Sequence, residues 1–200
     1  MINTDSGSTV LPITAEGEFI LISTYKYAQD KHFIELPKGC RELGESYTEA
    51  AIRELEEETQ FTTHELSYFS STPTTSSIIC SKSEDFIGWH CKKLAKPVKG
   101  DHTEEINEVF KLKASELFDM IQSGEIVDSG TISFVLKFFT CFYPLTPKDL
   151  DRRSSHFIQG MYNAALGQAE SSRIESLPHD ALGEWKDGWK YYTFKSASKK

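Results

Sequence analysis

The segment GCRELGESYTEAAIRELEEETQF, residues 39–61, constrains this chain more than any other. It carries seven acidic residues in twenty-three positions, four of them between Glu54 and Glu58. Like charges that close repel one another on a helix, so the fold must either leave that face in water or give it a cation. The helix start is nonetheless well marked. Ser46 followed by Glu49 has the spacing of a capping box, and the segment predicts a helix over Tyr47–Thr59.

At about 100° per residue, setting Glu54 at zero puts Glu58 near ~40° and Glu57 near ~−60°, so these three share one face. Arg53 lies four residues before Glu57, spaced to pair with it. Ala51, Ile52, Leu55 and Thr59 fall on the opposite half and are expected to pack on a sheet. Glu56 is expected to point to solvent and to be dispensable. Converging carboxylates raise one another's pKa unless a cation neutralises them. Mg²⁺ suits that role, because it takes oxygen ligands and keeps waters and substrate phosphates in its shell. In the preceding loop, LPKGCRELGE, Gly39 lets a bare backbone carbonyl approach an ion, and Lys38 and Arg41 offer charge to phosphate oxygens. By composition alone a Glu-rich helix is more often a solvated face. The spacing favours metal-assisted attack of water on a phosphoanhydride.

Around this helix the pattern is that of a sheet. STVLPITAEGEFILIS predicts two short strands about a turn at 15–17, with Pro12 confining the first to an edge or an end. HFIELP is extended, and Pro37 closes it. Residues 66–85, rich in Ser and Thr, predict a strand with a mobile loop; FIGWHCKKL and NEVFKLK predict two more strands. Ser115 is expected to cap a helix, ELFDMIQ, that ends at Ser123-Gly124. Ile132, Val135, Leu136 and Phe139 fall at i, i+3, i+4 and i+7, a helix with one buried stripe. Beyond Pro147 the chain predicts one amphipathic helix carrying Phe157, Met161, Ala165 and Leu166. An aromatic tail follows with Trp185, Trp189, Tyr191, Tyr192 and Phe194. Those aromatics pad the core or a homodimer contact, or form a flap that stacks on a substrate ring.

The formal net charge of −8 argues against a nucleic-acid surface, which requires a basic stripe. The first residues, MINTDSGSTV, have neither the basic nor the apolar region of a signal peptide. FVLKFFTCFYPL is too short to span a bilayer and is broken by Lys137. Cys40, Cys80, Cys91 and Cys141 form no Cys-x-x-Cys pair and no zinc spacing with a histidine, which favours reduced thiols and a cytoplasmic setting. His32, His64, His90 and His102 are not spaced as metal ligands.

The acidic segment resembles the Nudix box, G-x5-E-x7-R-E-U-x-E-E-x-G-U with U a bulky apolar residue. Gly39, Glu45, Arg53, Glu54, Leu55, Glu57, Glu58 and Phe61 all match, and the glycine after the helix is replaced by Gln60. The resemblance covers roughly residues 8–143. It implies an α/β fold, the Nudix α/β/α sandwich: a mixed sheet between helices with a loop–helix–loop motif. A helical C-terminal extension follows, giving a hydrolase domain over 1–145 and an extension over 146–200. By the same resemblance the metal ligands are Glu54, Glu58, the Gly39 carbonyl and Glu57, holding Mg²⁺ or Mn²⁺. Arg53 orients the glutamates and Glu45 braces the loop. The implied reaction is hydrolysis of a nucleoside diphosphate linked to another group.

TYKYAQDKHFIELPKG and FDMIQSGEIVDSGTISFVL are similar to the ADP-ribose pyrophosphatase branch. Lys26, the basic residue ending the strand, joins Lys38 and Arg41 as a substrate-binding candidate. That branch keeps a catalytic glutamate in a loop before the last strand, where GDHTEEINE offers Glu104 or Glu105 as the base. Lys38 stands where the branch has alanine. LPKG is also similar to hydrolases of dinucleoside polyphosphates and diphosphoinositol polyphosphates. ADP-ribose-like substrates lead, and a nucleotide-binding module without turnover is the alternative from another class.

Overall fold

Backbone pairing draws the chain into a mixed sheet with helices against both faces. The structure is a computed structural model and describes residues 2–3, 6–73, 79–99, 106–143, 145–166 and 179–197. In chain order the strands are β1 (Ile2–Asn3), β2 (Gly7–Thr14), β3 (Phe19–Lys26), β4 (Lys31–Glu35), β5 (Lys38–Cys40), β6 (Phe61–Thr62), β7 (Glu65–Pro73), β8 (Ile79–Cys80), β9 (Lys82–Lys93) and β10 (Ile106–Leu112). The helices are α1 (Tyr47–Thr59), α2 (Ala114–Ser123), α3 (Ser129–Thr140), α4 (Pro147–Leu150), α5 (Ser155–Ala165) and α6 (His179–Ala197). The main sheet runs β10-β3-β2-β9-β6, with β4 on β3, β5 on β2 and β7 on β9. β2 and β9 are parallel and the other pairs in this sheet antiparallel. No helix among the described residues is long and apolar enough to cross a membrane.

The two faces follow from strand alternation. Val10, Ile20 and Phe86 point one way and pack on Ala51 and Leu55 of α1. Leu11, Phe19, Leu21, Ile87 and Trp89 point the other way and pack on Phe134, Phe138 and Phe139 of α3. His90 takes φ 54 within β9, at a register shift against β2, and this extra residue turns Cys91 to the α1 face.

Four expectations about elements need correction. Pro12 sits in a central strand, not at an edge or an end. Val10 N donates to Pro37 O at 3.0 Å and Thr14 N to Glu18 O at 2.8 Å. Alternation puts the Pro12 nitrogen on that same side, where the β2–β3 ladder has narrowed to Ile13 opposite Phe19 and little depends on its missing N–H. The cap of α2 is Lys113, not Ser115; Ser115 donates through N and Oγ to Asp151 at 3.1 and 2.6 Å, a carboxylate brought from after α4. The buried stripe of α3 is Thr131, Phe134, Val135, Phe138 and Phe139, with Ile132 and Leu136 only half-buried. This helix is apolar around much of its girth, so periodicity did not select the face. In α5, Met161 is buried beside Ile158 and Tyr162, whereas Phe157 is half-buried and Leu166 exposed. Much of the aromatic tail lies in α6, with Trp185 fully buried. The loop expected within 66–85 falls at residues outside those described.

Candidate active site

Helix α1 begins as its sequence requires. Ser46 Oγ accepts from Glu49 N at 3.2 Å while Glu49 Oε2 accepts from Ser46 N at 2.8 Å, closing the capping box. At its other end Gln60 adopts the left-handed conformation, φ 61 and ψ 24, at the position of the motif glycine. Its side chain compensates: Nε2 lies 3.2, 3.1 and 3.0 Å from the carbonyls of Glu56, Glu57 and Val98, and Oε1 accepts from Val98 N at 3.0 Å.

Arg53 is the hub of the carboxylates. Its Nε and Nη2 grip Glu45 at 2.9 and 3.0 Å, its Nη1 reaches Glu54 at 2.7 Å and Glu57 at 3.2 Å, and its Nη2 also donates to Cys40 O at 2.8 Å. Five donors in a planar fork make these contacts geometrically compatible. Burial pushes the Glu54 carboxyl above the usual range, against the pull of Arg53. Glu45 is held below it, chiefly by the hydrogen bond from Arg53. Glu58 is buried, and its Oε2 accepts from Lys38 N at 2.9 Å.

Gly39 is required by proximity. A Cβ there would strike the Glu54 carboxylate, and its carbonyl oxygen lies against Gly7 of β2. The backbone groups that β5 turns toward α1 are therefore Lys38 N–H, which meets Glu58, and Cys40 C=O, which meets Arg53. Glu56 lies half-buried and accepts from Thr62 Oγ1 at 2.6 Å, so it is tied down and not loose in solvent. Among the described residues no three His, Cys, Asp or Glu side chains are grouped to cage an ion by themselves.

The candidate cations are already engaged. Lys26 Nζ lies 2.5 Å and Lys38 Nζ 2.8 Å from the buried carboxylate of Glu35, and Lys38 also meets Asp128 at 3.0 Å. Burial alone would lower the Lys38 ammonium, but Glu35 and Asp128 outweigh it and hold its pKa above the ordinary value. Arg41 stacks over the Tyr47 ring at 4.0 Å and donates from Nη1 to Glu45 O at 2.9 Å. Glu104 and Glu105 lie outside the described residues.

Sequence reasoning missed Asp128. It caps α3 through Thr131 N at 2.8 Å while holding Lys38; Asp128 followed three residues on by Thr131 was the signal available. A cavity of about 530 Å³ opens beside β5, lined by Lys38, Gly39 and Cys40, by the starts of β2 and β9, and by the first residues of α3.

The model of the NUDIX domain matches residues 4–127. The chain belongs to the Nudix family. Among curated proteins this Nudix chain is 27% identical over 122 residues to the ADP-ribose pyrophosphatase of Bacillus subtilis (strain 168), covering 61% of this chain and 65% of that one. It is 28% identical over 126 residues to the methanol dehydrogenase activator of Bacillus methanolicus, covering 62% and 66%. The matches thus span just under two thirds of those relatives. A solved ADP compounds hydrolase superposes with a TM-score of 0.59 at 22% identity, covering 66% of this chain and 70% of that one, which shows the shared fold.

Proposed function

We propose that the chain is a pyrophosphohydrolase that uses Mg²⁺ or Mn²⁺ to cleave a phosphoanhydride in a nucleoside diphosphate linked to another group, with ADP-ribose-like compounds favoured. The observation that carries this reading is the Arg53 cluster. Four carboxylates, those of Glu45, Glu54, Glu57 and Glu58, gather along α1 and the β5 loop, and only one guanidinium neutralises the three it reaches. The surplus of oxygen ligands and negative charge fits a hard divalent ion, which completes its shell with water and phosphate oxygens. Glu54, Glu57 and Glu58 would hold it. A backbone carbonyl of β5 would join them. A residue's N–H and C=O leave a strand on the same edge. Because Lys38 N–H meets Glu58 and the Gly39 oxygen faces Gly7, this favours the Lys38 carbonyl over that of Gly39.

When bound, such an ion would polarise a phosphoryl oxygen and lower the pKa of a water. Arg53 fixes the carboxylates, Gly39 admits Glu54 to the loop, and Glu104 or Glu105 would receive the proton. Lys26 and Lys38 bring little uncommitted charge, since both are paired with Glu35, which leaves Arg41, stacked on Tyr47 and bonded to a carbonyl, as the candidate cation with no ion pair among the described residues. That weighs against the densely charged dinucleoside polyphosphates and diphosphoinositol polyphosphates. We assign the chemistry to residues 1–145 and a buttressing role to 146–200, because Leu150, Ile158, Met161 and Tyr162 join the same buried cluster as Leu11 and Phe138.

The test is product release from a panel of ADP-ribose, sugar nucleotides, dinucleoside polyphosphates and diphosphoinositol polyphosphates with Mg²⁺ or Mn²⁺. Turnover of ADP-ribose that Glu58→Gln abolishes is the expected result. No turnover of any compound would leave the binding-module reading in its place.

A further inference from the structure

The cavity beside β5 has an unusual floor. Strand alternation puts Thr9 in line with Leu11, and Ser83 and Asp85 in line with Ile87 and Trp89, on the sheet face that α3 covers. Deeper in the sheet this face is apolar core. At the cavity it turns polar, and a carboxylate, Asp85, sits there only 4% exposed. Ser70 Oγ and Thr72 Oγ1 both donate to its Oδ2, at 2.9 and 2.6 Å. Among the described residues no donor reaches its Oδ1. Oδ1 is not sealed from solvent, so it is the side of the carboxylate left open to the cavity that Asp85 lines, where a ligand donor can reach it.

The lining states which donor. Two lysines, Lys38 and Lys82, are balanced by Asp85 and Asp128, and each lysine is already paired, Lys38 as described and Lys82 with Glu84 at 2.5 Å. The cavity therefore has no excess positive charge for a phosphate chain. Ser and Thr make up the largest share of its walls, and among the described residues none of the lining is aromatic, so it offers no platform for a base. At about 530 Å³ it is large enough for a sugar ring. Lys38 and Gly39 border it on one side and receive Glu58 and Glu54 on the other, which joins it to the carboxylates of α1.

We propose that Asp85 is a specificity-determining residue, its Oδ1 accepting a hydroxyl hydrogen of the group that lies beyond the pyrophosphate. The proposal rests on the hydrolase reading for the orientation of the ligand and not for binding. Its competitor is a purely structural Asp85 that pins β7 to β9 where their register shifts between Tyr68 and Ser70. Asp85→Asn separates the two. The amide oxygen still accepts from Ser70 and Thr72, so the fold is kept, while the anionic acceptor is lost.

The experiment measures equilibrium binding of ADP-ribose and of the β-methyl ester of ADP, with EDTA present, to wild type and Asp85→Asn of equal melting temperature. The methyl ester keeps the ADP and lacks the hydroxyls. Wild type is expected to prefer ADP-ribose, and Asp85→Asn to lose about tenfold or more for ADP-ribose alone, as fits a hydrogen bond to a charged group. Equal losses for both ligands, an unchanged preference, or no binding to wild type would overturn the proposal. A steady-state assay with Mg²⁺ runs beside it. Binding with the expected preference but without hydrolysis would defeat the hydrolase reading and leave Asp85 as a hydroxyl reader.

Discussion

Gln60 shows how a side chain stands in for the conformational freedom of glycine. Holding a non-glycine residue left-handed costs about 1–2 kcal/mol, and here the amide bonds to carbonyls of the last turn and to Val98 offset it. Gln60→Ala keeps the strain and loses those bonds, so it should destabilise by about 2 kcal/mol in urea unfolding. Gln60→Gly loses the bonds and the strain together and should lie within about 1 kcal/mol of wild type. A glycine variant much more stable than wild type would mean that the amide contributes nothing. Glu56 is a second residue whose part is now defined. Glu56→Gln still offers Thr62 an acceptor, so kcat should hold near the wild-type value. Glu54→Gln and Glu58→Gln should fall by about 10²–10⁴ in rate on the best panel substrate. Equal losses at all three would place Glu56 within the face proposed to hold the metal after all.

Helices α5 and α6 pack at contact distance because two glycines face the opposing backbone. A Cβ at Gly160 would strike the Trp185 carbonyl, and one at Gly188 the Phe157 carbonyl. Gly183, also in α6, has open space around its Cβ position. The three substitutions should therefore separate in thermal unfolding. Gly160→Ala and Gly188→Ala force the helices apart and should cost about 1–3 kcal/mol. Gly183→Ala should gain about 0.5–1 kcal/mol from helix propensity. Destabilisation by all three alike would count against the close crossing. Elements were legible where local signals agreed: the Ser46–Glu49 box marked α1 to the residue, and turn residues bracketed β3 and β4. They were not where the deciding partner was remote. Asp151 tethers the first turn of α2 from thirty-six residues away, and the Pro12 nitrogen is tolerated only because β3 diverges there. The three α1 carboxylates and Arg53 were written in consecutive spacing. Glu35, Asp85 and Asp128, which come to that site from other elements, left no comparable mark.

On the scale of the whole molecule, the C-terminal helices share the core of the sheet, and the seam between them holds an acid-sensitive contact. The His90 ring stacks on His156 at 3.7 Å between centroids. Both His90 ring nitrogens are sealed from solvent without a hydrogen bond. Glu65 from β7 approaches Nε2 at 3.6 Å, Gln159 of α5 binds Glu65, and Glu184 of α6 adds negative charge nearby. Burial, reinforced by His156, lowers the His90 pKa from 6.5 to about 4 against the pull of the Gln159 side chain and Glu184. The unfolded chain therefore binds more protons than the folded one between these values, and stability rises with pH across that window. The contribution of His90 is complete above about pH 6.5 and is lost as pH falls toward about 4. Urea midpoints measured from pH 7 to pH 4 should fall for wild type. His90→Asn keeps a polar side chain at the left-handed position, which asparagine tolerates, and removes the titration, so its midpoint should fall less steeply. Parallel curves for the two proteins would show that the acid sensitivity arises elsewhere.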